Sequence, residues 1–204
     1  MKVGIIKYGV GNILNLDNYF KSLGYVTDII DKVNIPEIDN IDCIVLPGVG
    51  SFNYAMNYIN VNKLDTFIKK FNKAQKKIIG ICLGFQLFFQ SSQENSDTNG
   101  LGFLQGSVKN LSDLTKKDNL ISPHIGWNIA SMKTYNFKNN YYYFLHKFCM
   151  PSQNSQDYDE FMETEYEDIK FYSLIKKKNI LGVQFHPEKS NNQEFNEYLK
   201  DYIQ

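Results

Sequence analysis

Apolar residues in the first half of the chain alternate between short continuous runs and runs with helical spacing. The short runs predict strands at Lys2–Ile6, Tyr25–Ile30, Asp42–Leu46 and Lys77–Cys82. Continuous apolar runs of this length are typical of strands that are buried on both faces of a parallel sheet. Because helical patterns separate the strands, the sequence predicts a doubly wound α/β fold with a mostly parallel sheet.

The predicted helices lie between these strands, and turn and capping residues set their ends. Asn12 is positioned to cap the first helix, which Gly24 closes. A second helical region is predicted from Ser51 to about Phe71, and a third from about Gly84 to Gln90.

The second half of the chain has a different pattern, in which short strand-like segments are separated by polar turns. These segments are Ser107–Leu111, Tyr142–His146, Phe171–Lys176 and Ile180–His186. We expect them to form added strands or an antiparallel extension, followed by a helix from about Asn192. The acidic stretch Asp157–Asp168 and the triplet Lys176–Lys178 are predicted to be a solvated loop and a solvated strand end. With no linker or repeat, residues 1–204 are predicted to form one domain.

Composition excludes several classes of protein. The chain has 22 basic and 22 acidic residues, so its formal net charge is zero, which argues against binding nucleic acid by bulk electrostatics. Every basic residue is lysine, so no guanidinium fork is available. Three cysteines are too few for a disulfide framework, and neither an export signal nor a membrane span is evident. We therefore expect a cytoplasmic protein with no nucleic-acid or membrane partner.

The most informative segment places a cysteine between two glycines at the end of a strand. Gly80 and Gly84 lie two residues before and two residues after Cys82, which is the spacing of a nucleophile elbow. At such a sharp turn the residues at these two positions must lack a Cβ atom. The turn would raise the sulfur above the sheet, beside the Leu83 amide and a helix N-terminus that favours a thiolate. We therefore predict that Cys82 is a nucleophile.

A thiol nucleophile needs a base, and the chain has three histidines. His186 ends a predicted strand, and Glu188 follows two residues later, on the same side of an extended segment. The carboxylate would fix the tautomer of the imidazole and stabilise its protonated form. Since His124 and His146 have no acid this close in sequence, the predicted triad is Cys82, His186 and Glu188.

The glycine-rich segment 47–50 follows another strand end, at the edge where parallel sheets collect ligands. Its two glycines allow the Val49 amide to turn into the site, so Val49 and Leu83 are the candidate oxyanion donors. An ordinary strand-to-helix turn would have the same sequence. Cys43 and Cys149 are predicted to be buried structural thiols, and no spacing of His and Cys indicates a metal site.

These motifs together resemble the class I, or triad, glutamine amidotransferases. The elbow G-I-C-L-G-F-Q is followed at a distance by G-V-Q-F-H-P-E. Further motifs narrow the resemblance to the glutaminase subunits of imidazole glycerol phosphate synthases: K-Y-G-V-G-N at 7–12, L-P-G-V-G-S-F at 46–52, G-L-G at 100–102, H-I-G-W-N at 124–128 and H-P-E-K-S at 186–190. The resemblance covers the chain from about residue 3 to residue 190 and implies a flavodoxin-like fold.

This resemblance implies hydrolysis of L-glutamine to glutamate and ammonia, with no cofactor. Cys82 would attack the side-chain amide of glutamine. His186 would transfer the proton, and Glu188 would orient the imidazole. Gln86 and Gly50 match positions that bind the glutamine substrate. A cysteine peptidase or deglycase of similar fold would share the elbow but would not need Gln86.

The resemblance also implies a partner, a (β/α)8-barrel cyclase subunit in a heterodimer. That subunit would receive the ammonia and make imidazole glycerol phosphate in L-histidine biosynthesis. Asn12, Trp127 and Lys189 match positions at that interface. The alternative for Trp127, the only tryptophan, is a place in the hydrophobic core.

Three departures from the family pattern leave the ammonia acceptor open. Lys7 stands where relatives usually have aspartate, and Lys147-Phe148 replaces a Ser-Tyr or Thr-Tyr pair after the inner histidine. Asn191-Asn192 replaces a Gly-Leu pair. A divergent paralogue that supplies ammonia to another acceptor, such as an amino sugar in surface polysaccharide synthesis, is the alternative.

Overall fold

A computed structural model describes residues 1–94, 98–132, 140–152 and 158–204. Its strands are β1 (Lys2–Ile6), β2 (Val26–Ile30), β3 (Cys43–Leu46), β4 (Lys77–Ile81), β5 (Ser91–Ser92), β6 (Thr98–Asn99), β7 (Ser107–Asn110), β8 (His124–Met132), β9 (Asn140–His146), β10 (Phe148–Cys149), β11 (Glu160–Tyr166), β12 (Ile169–Lys177) and β13 (Ile180–Val183). Its helices are α1 (Ile13–Ser22), α2 (Phe52–Val61), α3 (Leu64–Lys73), α4 (Leu83–Gln86), α5 (Leu111–Leu114), α6 (Pro187–Ser190) and α7 (Gln193–Ile203).

The main sheet joins a parallel half to an antiparallel half. Strands β2, β1, β3, β4 and β13 lie in this order and are parallel. The sheet continues through β12, β11, β8 and β9 in antiparallel pairs, which makes nine strands in the described part of the chain. A second sheet has the order β10-β7-β5-β6. The predicted α/β fold with an antiparallel extension is therefore confirmed. The extension adds four strands, β12, β11, β8 and β9, to the five parallel ones.

Helices cover both faces of the parallel half, as predicted for a doubly wound fold. Val45 and Ile79 contribute to the core beneath α1 and α7, while the neighbouring Ile44 and Ile78 contribute to the core beneath α2 and α3. Burial of each such aliphatic side chain stabilises the fold by about 1.5–3 kcal/mol relative to exposure. Because both faces are buried, these strands have continuous apolar sequences.

Asparagine side chains cap the first and last helices at their N-termini. The Asn12 side chain accepts a hydrogen bond from the Asn15 amide at 3.1 Å at the start of α1. Gly24, with φ of 94°, follows the end of this helix. At the start of α7, the Asn192 side chain accepts from the Phe195 amide at 2.9 Å. Each cap supplies a partner to an amide that has none within the helix.

Two of the predicted helices differ from the structure. The region from Ser51 to Phe71 forms two helices, α2 and α3, rather than one. Lys63 lies between them with φ of 59°, a left-handed conformation that cannot continue a right-handed helix. The helix predicted from Gly84 to Gln90 is the shorter α4, which ends at Gln86.

The structure also corrects the interpretation of the acidic stretch 157–168. Asp157 lies outside the described residues, but Glu160–Tyr166 forms strand β11 rather than a solvated loop. Glu160 pairs with Lys176, and Glu163 pairs with Lys170 at 2.8 Å, both on the neighbouring strand β12. Cross-strand pairing of opposite charges makes this acidic segment compatible with a sheet. The nine-residue strand β8 was also not predicted.

Candidate active site

The turn around Cys82 has the strained geometry that its flanking glycines predict. Cys82 lies between β4 and α4 with φ of 48° and ψ of −101°, and residues with such backbones cost about 1–3 kcal/mol. A Cβ atom on Gly84 would lie 2.0 Å from the Leu46 carbonyl oxygen. One on Gly80 would lie 2.7 Å from the Gly84 carbonyl. Only glycine at these two positions allows the strand and helix to approach this closely.

The sulfur of Cys82 contacts two groups from the second half of the chain. The thiol lies 3.5 Å from the Leu145 carbonyl oxygen, and the Gln184 side-chain amide donates to it at 3.5 Å. Cys82 lines a cavity, although only 4% of the residue is exposed. Cys43 and Cys149 are fully buried, and burial raises the pKa of both thiols. Cys82 is therefore the thiol placed for chemistry with a ligand.

Glu188 contacts His186, as their spacing predicts, but through a different local structure. The His186 Nδ1 atom lies 2.8 Å from the Glu188 Oε1 atom. The pair is closed by the helical turn α6, for which His186 is the N-cap and Pro187 the first residue, rather than by an extended segment. Proline suits this position because its fixed φ is helical and its missing N–H would be unpaired there. Strand β13 ends earlier than predicted, at Val183.

The electrostatic surroundings of His186 favour its protonated form. Burial alone lowers the pKa of this imidazole, but the neighbouring Cys82 sulfur and the Glu188 carboxylate outweigh burial and raise the pKa to about 10. The Nε2 atom is buried and makes no hydrogen bond to the described residues. A protonated imidazole beside the Cys82 sulfur can act as a general acid toward a group bound there.

The structure brings five of the predicted site residues to one cavity of about 250 Å³. They are Val49, Gly50, Cys82, Leu83 and Gln86. Parallel strands β3 and β4 end side by side, so their carboxyl-terminal turns meet at this edge of the sheet. His186 and Glu188 are not among the residues that line this cavity, but His186, which lies where the chain passes from β13 into α6, interacts with the Cys82 sulfur.

The predicted oxyanion donors are the backbone amides of Val49 and Leu83, and the Leu83 amide already has a hydrogen-bond partner. The Leu83 amide donates a hydrogen bond to the Gly48 carbonyl oxygen at 3.4 Å. The Tyr8 hydroxyl donates to the carbonyl of Pro47, which holds the start of this segment. A Cβ atom on Gly50 would lie 2.7 Å from the Val10 side chain, so the glycine allows the two loops to pack closely.

Gln86 connects the cavity to the antiparallel extension. Its side-chain amide donates to the Phe148 carbonyl oxygen at 2.7 Å and to the Gln184 side chain at 3.2 Å. The residue is almost fully buried. Gln86 thus fixes the position of Phe148 at the cavity wall, besides lining the cavity itself.

Two charged residues line this cavity, Glu94 and Lys147, and of these only Glu94 was not singled out from the sequence. Glu94 accepts a hydrogen bond from the Phe52 amide at 2.7 Å and thereby caps α2. The substitution of Lys147 for the usual serine or threonine was the available signal for the second residue. No local signal marks Glu94, because its approach to the cavity depends on the packing of the second sheet.

The other two histidines form a buried pair, of which His146 lines the cavity. His124 Nδ1 lies 3.1 Å from His146 Nε2, and His146 Nδ1 lies 2.9 Å from the Phe148 carbonyl oxygen. Burial lowers the pKa of His124 to about 4 and that of His146 to about 3. Both rings are therefore neutral near pH 7, which fits the prediction that neither is the base.

The predicted interface residues Trp127 and Lys189 meet on one aromatic ring. Trp127 packs edge-on against Tyr143 with 5.9 Å between ring centroids, and the Lys189 ammonium lies 4.9 Å from the centroid of the same ring. Trp127 is 56% exposed, so the alternative of a core position is wrong. Asn12 is also exposed and caps α1. Tyr143 was not singled out from the sequence.

No three His, Cys, Asp or Glu residues of residues 1–94, 98–132, 140–152 and 158–204 come together as a possible metal-binding group. Within the same ranges, no helix has both the length and the apolar character needed to cross a bilayer.

Comparisons with known proteins agree with the fold and with the motifs. The family described as glutamine amidotransferase class-I matches residues 5–204. The imidazole glycerol phosphate synthase subunit HisH of Oceanobacillus iheyensis is 38% identical, over 98% of this chain and 97% of that protein. The protein of the same name from Thermotoga maritima is 36% identical, over 94% of this chain and 91% of its own length.

Solved structures share the fold at much lower sequence identity. A crystal structure of a glutamine amidotransferase has a TM-score of 0.73 at 13% identity, covering 98% of each chain. The structure of PurLQS from Thermotoga maritima has a TM-score of 0.71 at 17% identity, covering 99% of this chain and 96% of that one. With the family match over residues 5–204 and relatives more than one-third identical over nearly their whole length, this chain belongs to the glutamine amidotransferase class-I family.

Proposed function

We propose that this chain is the glutaminase subunit of an imidazole glycerol phosphate synthase. It hydrolyses L-glutamine and passes the ammonia to a cyclase subunit in L-histidine biosynthesis. One observation carries the proposal: the strained Cys82 lines a cavity, and its sulfur interacts with His186, which forms a 2.8 Å pair with Glu188. The names of the relatives described above support the choice of pathway.

In the proposed reaction, the Cys82 thiolate attacks the side-chain amide carbon of glutamine. The oxyanion that forms accepts hydrogen bonds from backbone amides, and Leu83 and Val49 would supply them once the peptide between Gly48 and Val49 turns and releases the Leu83 amide. His186 donates its proton to the leaving ammonia, which leaves a thioester on the sulfur. His186 then takes a proton from the attacking water, so that glutamate leaves and the thiol is restored. Glu188 holds the imidazole in the required tautomer throughout.

The cavity suits an amino-acid substrate. Glu94 lines it, and a carboxylate in that place provides a partner for the ammonium group of glutamine. Gln86 lies on the wall between Cys82 and Phe148. The side-chain amide of the substrate would then extend toward the sulfur while its backbone groups remain near the cavity mouth.

An exposed apolar surface supports the proposed barrel-shaped cyclase partner. Ile125, Trp127 and Tyr141 are all more than half exposed, and the register of β8 and β9 places them on one face of this hairpin. Exposed apolar patches of this kind mark sites of protein association. Asn12 and Lys189 are proposed to belong to the same interface. All three cysteines are free, which supports our placement of the complex in the reducing cytoplasm.

The test combines the purified chain with the cyclase subunit of the same organism and supplies either glutamine or ammonium as the nitrogen source. With glutamine, we expect glutamate in an amount equal to the cyclase product plus any free ammonia, and with ammonium we expect the cyclase product without glutamate. Trp127→Ala should weaken association without changing the free energy of unfolding by more than about 0.5 kcal/mol, since the side chain is exposed. Ammonia release without cyclase product would instead support the paralogue with another acceptor, and no ammonia release would overturn the proposal.

A further inference from the structure

The backbone of residues 145–148 is held on both sides of Lys147. The Leu145 carbonyl oxygen contacts the Cys82 sulfur at 3.5 Å. The Phe148 carbonyl oxygen accepts hydrogen bonds from Gln86 at 2.7 Å and from His146 at 2.9 Å. In addition, the Lys147 carbonyl accepts from the Leu111 amide at 3.0 Å. The starting point of the Lys147 side chain is therefore fixed relative to the nucleophile.

The buried histidine pair makes this position rigid without adding charge. His146 donates from Nδ1 to the Phe148 carbonyl, so its Nε2 atom must accept from Nδ1 of His124. The remaining Nε2 atom of His124 lies 3.4 Å from the Asn128 amide nitrogen, which can donate to it. With both imidazoles neutral, every ring nitrogen of the two histidines has a hydrogen-bond partner. The pair thus supports the cavity wall but supplies no cation to it.

The charges at the cavity complement a free amino acid. Within the described part of the chain, Glu94 and Lys147 are the charged residues that line it, one of each sign. The sequence has no arginine, so a lysine must provide any cationic contact to a substrate carboxylate. Lys147 is exposed, which leaves its ammonium accessible to a ligand.

We propose that Lys147 binds the α-carboxylate of L-glutamine and is a specificity-determining residue of this chain. The inference rests on the proposed function and extends it to one substrate group. Lys147 acts on binding alone, since the carboxylate takes no part in bond breaking. Loss of this contact should therefore raise KM and leave kcat nearly unchanged.

The experiment compares two ligands in the complex with the cyclase subunit. L-glutamine is the substrate, and 4-aminobutanamide, which has the same ammonium and side-chain amide but no carboxylate, is the competing ligand. Lys147→Met should raise KM for glutamine about 10- to 100-fold, the range of one hydrogen bond between charged groups. The inhibition constant of 4-aminobutanamide should change less than about 3-fold, because that ligand makes no contact of this kind.

Two further variants serve as controls. Lys73→Met removes the same charge from an exposed position on α3 and should leave KM unchanged. Lys147→Arg retains the charge and should keep KM within about 5-fold of the unaltered chain. If Lys147→Met changed KM for glutamine and the inhibition constant of 4-aminobutanamide equally, or left KM unchanged, the role assigned to Lys147 would be overturned. Either result would leave the proposed glutaminase function standing. If the unaltered complex releases no ammonia from glutamine, the proposed function fails and this inference fails with it.

Discussion

The Leu83 amide donates to the Gly48 carbonyl oxygen across 3.4 Å, and this contact closes the predicted oxyanion site. The peptide that carries this carbonyl also carries the Val49 amide on its opposite side. Rotation of that one peptide would therefore free Leu83 and turn the Val49 amide inward at the same time. Gly48 and Gly50 flank Val49, and Gly50 already has φ of 138°, a conformation that glycine tolerates.

We expect the isolated chain to hydrolyse glutamine slowly and the cyclase subunit with its ligand bound to stimulate it. One oxyanion donor typically contributes about 2.7–4 kcal/mol to transition-state stabilisation, so stimulation should reach about 100-fold or more. Ammonia release with and without the partner measures the effect. A rate that is already maximal for the chain alone would contradict this interpretation.

Among the three thiols, only Cys82 should be required for activity. Cys82→Ala should abolish ammonia release, because it removes the covalent route. Cys43→Ala and Cys149→Ala should retain most of it, because both thiols are buried away from the cavity. Alkylation followed by peptide mass analysis should label Cys82 first. Full activity of Cys82→Ala would exclude the thioester mechanism.

The backbone strain at Cys82 should be measurable as lost stability. Glycine adopts φ of 48° without steric cost, whereas alanine retains the Cβ atom that causes the strain. Cys82→Gly should therefore have a free energy of unfolding about 1 kcal/mol higher than Cys82→Ala, after allowance for the greater freedom of glycine in the unfolded chain. Urea denaturation of the two inactive variants gives this difference directly. Equal stabilities would show that the turn is not strained.

Glu188 should be needed less than Cys82 or His186. Glu188→Gln keeps the size of the side chain and one hydrogen bond but loses the charge that stabilises the imidazolium. A neutral amide can also hold the wrong tautomer, so a loss of about 100- to 10,000-fold in kcat is expected. Single-turnover measurement of the thioester should show a slow but detectable intermediate, and His186→Ala should show less. A Glu188→Gln variant as inactive as Cys82→Ala, yet folded and bound to its partner, would assign Glu188 a more direct role.

The three histidines should respond to pH in opposite directions. His124 and His146 have pKa values of about 4 and about 3 in the fold, below the value of about 6.5 in the unfolded chain. The unfolded chain then binds more protons, so their contribution to stability falls as the pH drops from about 6.5 to about 3. For His186, with a pKa of about 10, the contribution is complete below about pH 6.5 and is lost as the pH rises to about 10.

Nuclear magnetic resonance of the imidazole nitrogens can separate these contributions, because only three histidines are present. Near pH 7.5 the His186 ring should carry both protons, while His124 and His146 should each carry one. In Glu188→Gln, the His186 pKa should fall, since one of the groups that raise it loses its charge. A midpoint near 6.5 for His186 in the unaltered chain would contradict the electrostatic interpretation of the site.

The features of this protein that depend on neighbouring residues in the chain could be predicted from its amino-acid sequence. The glycines around Cys82 revealed the elbow because the steric requirement is local. Glu188 was identified as the partner of His186 because the two residues are only two positions apart, even though the turn between them is helical. Continuous apolar runs likewise indicated strands buried on both faces.

Which distant residues share the cavity, and which of their polar groups already have partners, became evident from the three-dimensional structure. Glu94 follows β5 of the second sheet, whereas Lys147 lies between β9 of the main sheet and β10 of the second, and no local pattern encodes their meeting at one cavity. The exposure of Trp127 depends on β8 lying next to the edge strand β9, which places its ring beside Tyr143. The occupied Leu83 amide likewise depends on packing between two loops. Contacts of this kind depend on the relative placement of whole elements, which long-range packing fixes and a single sequence does not display.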